Sequence, residues 1–230
     1  MAEGLAAAGA RIVVNGTDRD RTEAAAAELR AVGHESLAAP FDVTDEAAIK
    51  ACFERLDAEG VSIDILLNNA GIQFRKPMLE LETADWQRVI DVNLTSAFVI
   101  GREAARRMVP RGAGKIVNIG SLMSAVGRAT VAPYTVAKGG IKLLTQAMAA
   151  EWAQHNIQSN AIGPGYMLTD MNQALIDNAD FNAWVKGRTP SRRWGKPEEL
   201  VGAAVFLSSA ASNYVNGQIV YVDGGMLAVL

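Results

Sequence analysis

Short apolar runs recur along this chain, and helical periodicity follows nearly every one. The runs fall at 11–15, 36–41, 63–67, 115–119, 158–162 and 218–222. Between them lie amphipathic stretches of helical length. An alanine-rich stretch over 18–32 ends at Gly33. Thr44 is placed to cap a helix to about 59, with Asp45 and Glu46 in its first turn. Thr83 is placed to open a long helix to 108, closed before Pro110. Further helices are expected over 131–155 and from Pro197 to about 208. The strand runs are mostly continuous apolar runs rather than alternating ones. That pattern predicts a mostly parallel sheet buried on both faces, a three-layer α/β fold.

The whole chain, 1–230, reads as one domain, since a chain of 230 residues suits a single core and shows no linker or repeat. One irregular stretch, 166–196, carries Met167, Leu168, Phe181 and Trp184, whose side chains favour burial. It is expected to be a lid over a substrate pocket. Net charge is −3 and acidic and basic residues are scattered, which argues against nucleic-acid or polybasic membrane binding. No apolar span of membrane length is present. Cys52 stands alone, so no internal disulfide framework forms, which fits a cytoplasmic protein. Cys52 lies in an amphipathic pattern and reads as a small core residue. His34 and His155 lack metal-ligand spacing, and no metal site is expected.

Open parallel sheets bind ligands beyond the carboxyl ends of their strands. Four motifs fall there: Asp42–Val43 after 36–41, Asn68-Asn69-Ala70-Gly71 after 63–67, Ser121 after 115–119, and Pro164-Gly165-Tyr166-Met167 after 158–162. Tyr134 and Lys138 open the long helix at 131, four residues apart and so on one face. Each motif alone is an ordinary turn or packing pair. In this order, with Asn93 and with Ser121 thirteen residues before Tyr134, the set resembles the short-chain dehydrogenase/reductase family from Leu5 to Leu230. Within that family, "GIQFRKPMLELETADWQRVIDVNL", "ATVAPYTVAKGGIKLLTQAMAAEWA" and "NAIGPGYMLTDMNQALI" are most similar to the gluconate 5-dehydrogenases.

The resemblance implies a Rossmann-like fold and hydride transfer between a nicotinamide and a carbinol or carbonyl carbon. Tyr134 then exchanges the substrate's hydroxyl proton. Ser121 holds the substrate oxygen, and Lys138 bonds the nicotinamide ribose. An ammonium near a phenol favours phenolate, so Lys138 is expected to lower the Tyr134 pKa. Asn93 anchors a water that links Lys138 to solvent. Asp42 and Val43 contact adenine, while Asn69, Ala70 and Gly71 let the backbone approach the cofactor closely. Pro164, Gly165, Met167 and Thr169 line the nicotinamide.

NADP is the expected cofactor, with NAD as the alternative. Gly16 falls where NAD-preferring members carry an acid, and Arg19 and Arg21 stand nearby to meet a phosphate, although Asp18 is also close. The substrate expected is a sugar acid, gluconate or its 5-keto form. Another keto-deoxy-gluconate and a 3-oxoacyl compound are the alternatives. Arg75 follows the Asn-Asn-Ala-Gly turn, so its guanidinium is placed to bind a carboxylate over the pocket. Arg128 is a second candidate, and Trp184 a candidate wall.

The family also opens with a strand and a glycine-rich turn for the pyrophosphate. The segment "MAEGLAAAGA" matches only the later part of the helix that follows them, and Gly4 and Gly9 lack the fingerprint spacing. In the family's order that strand lies between 11–15 and 63–67, so 11–15 and 36–41 are expected to be displaced or poorly ordered. A partner subunit that no longer binds cofactor is the alternative function. Homotetramers built through the two long helices are implied by the resemblance.

Overall fold

The computed structural model describes residues 1–229. Its strands are β1 (Ile12–Gly16), β2 (Ser36–Pro40), β3 (Ile65–Asn68), β4 (Gly114–Ile119), β5 (Ile157–Pro164) and β6 (Ile219–Val222). Its α-helices are α1 (Ala2–Ala7), α2 (Arg19–Ala31), α3 (Glu46–Ala58), α4 (Thr83–Ile90), α5 (Ser96–Arg111), α6 (Ala132–Trp152), α7 (Gln173–Ile176), α8 (Ala179–Arg188) and α9 (Val201–Ser208). All pairings between these strands are parallel. They form two sheets, β1-β2 and β3-β4-β5-β6, with no ladder between β1 and β3. The expectation of poorly ordered first strands is corrected in part: β1 and β2 pair over five residues. They stand apart from β3, as expected.

Successive residues of β4 feed opposite cores, as a pleated strand requires. Ile116 joins Ile49, Phe53, Val99, Met108 and Met148 beneath α3, α5 and α6. Val117 joins Ile162, Leu200, Ala204 and Leu207 beneath α9. The short α1 rests on α9: a Cβ at Gly4 would lie 2.3 Å from Val201 Cγ1, so only glycine admits this contact.

Several helix ends differ from the sequence expectation. Asp45, not Thr44, caps α3 by accepting the Ala48 N–H. Thr44 is occupied instead, donating its N–H and hydroxyl to Asp42. Thr83 is the first residue of α4 and caps nothing with its side chain. The long helix is not continuous α: Asp91–Thr95 forms a π turn between α4 and α5. It also runs past 108 through Pro110 and ends at Gly112, whose φ of 62° supplies the left-handed turn. A proline in the last turn forfeits one hydrogen bond without breaking the helix.

The stretch 166–196 folds into α7, α8 and tight turns. Met167 is buried as expected, but Leu168 and Trp184 are exposed. Cys52 is half-buried rather than core. No helix among the described residues is long and apolar enough to cross a membrane.

Candidate active site

The carboxyl ends of β3, β4 and β5 gather the predicted catalytic side chains. Gly71 follows β3, Ser121 follows β4, and Tyr134 and Lys138 lie in the first two turns of α6. Lys138 is buried, and its Nζ donates to the Ile119 carbonyl at 2.7 Å. That carbonyl is the last of β4, so the strand aims the ammonium across the site. Nζ lies 5.6 Å from the centre of the Tyr134 ring. With one of its three donors used, two remain for a ligand. Burial lowers the Lys138 pKa to about 8.

Tyr134 departs from expectation. Burial raises its pKa above the ordinary phenol value, and the Ser121 hydroxyl and the Arg75 charge only partly oppose this. Tyr134 is therefore a protonated acid at neutral pH. Ser121 caps the single turn Leu122–Ser124 by accepting the Met123 N–H at 3.2 Å. Ser124 in turn accepts the Ser121 N–H and donates to the Lys138 carbonyl at 2.7 Å. This one hydroxyl ties the β4 loop to α6 and so sets Ser121 relative to Tyr134.

Asn93 sits in the π turn and is buried. Its amide donates to the Ile72 and Val89 carbonyls, both at 2.9 Å. Its Oδ1 is buried with no partner among the described residues. A Cβ on Gly71 would lie 2.7 Å from this oxygen and 3.7 Å from Lys138 Nζ. The missing side chain thus keeps a cradle open beside two polar atoms. An unpaired buried acceptor costs about 1–3 kcal/mol, so its retention calls for a ligand or water there. These features fit a nicotinamide ribose and the water expected from Asn93.

The other predicted cofactor residues are spread along the same rim. Asn69 and Ala70 are exposed beside Gly71. Asn68 turns inward and donates to Asn118 Oδ1 at 2.8 Å. Asp42 is exposed, and two hydrogen bonds from Thr44 lower its pKa. Val43 is buried in the core, so only its backbone is open to a ligand. Pro164 ends β5 opposite Val222, and a Cβ on Gly165 would lie 2.6 Å from the Asp223 Cα. Met167 bridges to Gly195, which leaves Thr169 exposed at the lid's start. Arg19 and Arg21 are exposed at the start of α2, just beyond β1.

Arg75 is half-buried, with Nε and Nη2 sealed from solvent and unpartnered among the described residues. Its loop is tied to the loop before α6 by the Lys76 N–H donating to the Thr130 carbonyl at 2.9 Å. Thr130 has a φ of 67°, a strained conformation for a β-branched residue. Arg128 lies in that second loop. It stacks over Phe181, 4.5 Å from the ring centre, and donates to the Tyr166 hydroxyl at 3.1 Å. Burial, then the nearby Arg128 charge, lowers the Arg75 pKa. The sequence assigns Tyr166 no role beyond its place in the strand-end motif. Its position directly after Gly165 was the only signal for it. A hollow of about 130 Å³ is lined by Gly165, Tyr166, Met167, Arg193 and Asp223 at the end of β5, and another of about 360 Å³ lies beside Arg11, Arg30 and His34.

A parallel sheet with serine, tyrosine, lysine and a buried asparagine at its carboxyl ends defines a nicotinamide-dependent dehydrogenase architecture, and the chain belongs to the short-chain dehydrogenase/reductase family. A family model described as "Enoyl-(Acyl carrier protein) reductase" matches residues 1–227. The chain is 48% identical to 2-dehydro-3-deoxy-D-gluconate 5-dehydrogenase of Formosa agariphila, over 100% of this chain and 88% of that protein. It is 47% identical to 5-keto-D-gluconate 5-reductase of Escherichia coli, over 100% of this chain and 91% of that one. A crystal structure of a gluconate 5-dehydrogenase from Burkholderia cenocepacia, in complex with NADP and tartrate, superposes with a TM-score of 0.98 at 45% identity, covering 100% of this chain and 90% of that chain.

Proposed function

We propose that this chain is an NADP-dependent oxidoreductase that interconverts a secondary alcohol and a ketone of a sugar acid, with gluconate and 5-keto-gluconate as the substrate pair. The observation that carries the chemistry is the cradle at Gly71, where the unpaired Asn93 Oδ1 and the free donors of Lys138 meet beside Tyr134. The named relatives support the sugar acid. NADP, when bound, accepts or returns the hydride of the substrate carbon.

Every other part is played by the chain. Tyr134 donates its phenolic proton to a carbonyl oxygen during reduction and takes it back from the alcohol during oxidation. Ser121 fixes that oxygen by a hydrogen bond. Lys138 holds the ribose and passes protons to a water on Asn93. Asp42 and the Val43 backbone meet adenine; Asn69, Ala70 and Gly71 flank the ribose and phosphates; Pro164, Gly165, Met167 and Thr169 bracket the nicotinamide. Residues 166–196 act as the lid. Arg75 binds the substrate carboxylate, with its buried, unpaired edge as the support. The 2-dehydro-3-deoxy-gluconate alcohol is the second substrate, on the strength of the Formosa relative.

The same reading seats a further strand and its glycine-rich turn between β1 and β3. Its support is that these two half-buried strands flank the gap without bonding each other. A homotetramer is supported by Phe98 on α5 and by Val136 and Leu143 on α6, which expose apolar surface. We place the reaction in the cytoplasm, in keeping with the solitary Cys52. NADPH fluorescence titration and the absorbance of NADPH formed from gluconate test the proposal together. Binding with gluconate-dependent turnover is expected. A folded protein that binds no NADPH would instead be the non-catalytic partner.

A further inference from the structure

The rim above Tyr134 holds an arrangement that the hydride-transfer machinery does not use. Tyr166 packs edge-on against three aromatic rings: Phe181 at 5.6 Å, Trp184 at 5.9 Å and Trp194 at 5.6 Å between centres. Trp194 is itself fixed by a hydrogen bond to Asn182 at 3.0 Å. The ring of Tyr166 is therefore held by lid residues on several sides. Its hydroxyl accepts from Arg128 Nη1. A hydroxyl that accepts from a guanidinium directs its own proton elsewhere, so Tyr166 keeps a free donor. Arg128 cannot easily turn away, because Phe181 holds its plane.

Arg75 approaches from the neighbouring loop, bonded to the Arg128 loop through Lys76 and the strained Thr130. Its unpaired Nε and Nη2 form the side of the guanidinium that takes a carboxylate in two parallel hydrogen bonds. Two guanidiniums in one loop cluster, without an acid bonded to either, call for an anion. No salt bridge of Arg75 or Arg128 occurs among the described residues.

We propose that the Tyr166 hydroxyl and the Arg75 guanidinium clasp the substrate carboxylate together, and that Arg128 is a positioning residue that holds Tyr166 and the lid in place for this clasp. The proposal rests on the sugar-acid reading and adds its specificity device. A small rotation of Arg75 presents its unpaired edge to the acid. The Tyr166 proton takes the second face of the same carboxylate. Arg128 contributes through the hydroxyl and the Phe181 stack, so its charge alone is insufficient. Because Tyr166 is joined to the end of β5 through Gly165 alone, the clasp links acid recognition to the strand that ends in Pro164. A carboxylate thereby sets the distance between the reacting alcohol and Tyr134.

The test compares D-gluconate with D-sorbitol, which carries an alcohol in place of the carboxylate. Each is titrated into the full chain with NADPH present, a combination that does not react, and tryptophan emission reports Trp184 and Trp194. The wild-type protein should prefer gluconate over sorbitol. Tyr166→Phe keeps the aromatic packing and should reduce that preference about tenfold, the loss expected for one hydrogen bond to a charged group. Arg128→Lys keeps the charge but loses the planar stack and should reduce it comparably. An unchanged preference in Tyr166→Phe overturns the clasp. A preference retained in Arg128→Lys overturns the positioning role. Wild-type protein that shows no gluconate preference overturns the clasp, even if it oxidises gluconate. Preference for gluconate without any turnover sinks the dehydrogenase reading and leaves the clasp standing.

Discussion

The two sheets differ in depth and in duty. In the four-stranded sheet the depth lies in the two central strands: seven of the eight residues of β5 are buried and the last four of β4 are, while its edge strands β3 and β6 are half-buried throughout. In the two-stranded sheet, β1 has no fully buried residue and β2 has two of five. The catalytic set, Ser121, Tyr134, Lys138 and Asn93, is fastened to the deep sheet or to the helices packed on it. The residues proposed for the adenosine end, Arg19, Arg21 and Asp42, hang from the shallow one. Proton transfer needs groups fixed within hydrogen-bond reach, which a dense core provides. Recognition of an adenosine phosphate by exposed cations tolerates a looser support.

Tyr134→Phe should show the largest effect on the deep side. It removes the acid and keeps the ring, so kcat should fall about a thousandfold with little change in NADPH affinity. A loss of affinity comparable to the loss of rate would merge the two duties that the sheets divide. Next comes a pair of core truncations followed by urea unfolding. Ile157→Ala in β5 should cost about 4 kcal/mol, and Val13→Ala in half-buried β1 only about 1 kcal/mol. Equal costs would mean that both sheets share one core.

A smaller effect concerns Lys138. Burial lowers its pKa to about 8, whereas the unfolded chain holds that proton to about 10.4. Between these values the unfolded state binds more protons, so this lysine's contribution makes stability rise with pH. Tyr134, raised by burial, works in the opposite direction once the unfolded phenol ionises near pH 10. The Lys138→Met protein should therefore lose the rise above pH 8, on the order of 2 kcal/mol relative to wild type. The same ionisations order the reaction directions. Keto-acid reduction should be strongest at neutral pH, where Tyr134 and Lys138 both hold their protons. Oxidation should gain as pH increases toward the phenol's raised pKa.

The order of the main elements was legible in the sequence because most strands are apolar runs and the helices between them are amphipathic, whereas α7 and α8 lie in a stretch without that periodicity. The catalytic residues were legible because their spacing is long and ordered. Other features depend on contacts made between distant segments. The π turn at Asp91–Thr95 leaves no compositional mark, yet it contains Asn93. Asp45 displaces Thr44 as a cap because Asp42 has already taken the threonine. The raised Tyr134 pKa follows from burial, which only the packed fold supplies. Tyr166 and Arg128 lie thirty-eight residues apart, and only the folded lid brings them together.

The smallest effect tests the shallow sheet alone. Arg19 and Arg21 begin α2 as exposed side chains, with the Arg21 N–H already given to the Asp18 cap. Their guanidiniums are free to meet a 2′-phosphate, but each does so in water, where salt screens the attraction. Replacing both by Ala should weaken NADP binding about tenfold, leave NAD binding nearly unchanged, and narrow the difference further as salt is raised. The kcat at saturating NADP should stay within about twofold, because neither residue touches the reacting carbon or Tyr134. A fall in kcat matching the fall in affinity would show that β1 and β2 transmit to the deep sheet after all. An equal loss for NAD would move phosphate recognition elsewhere on the rim.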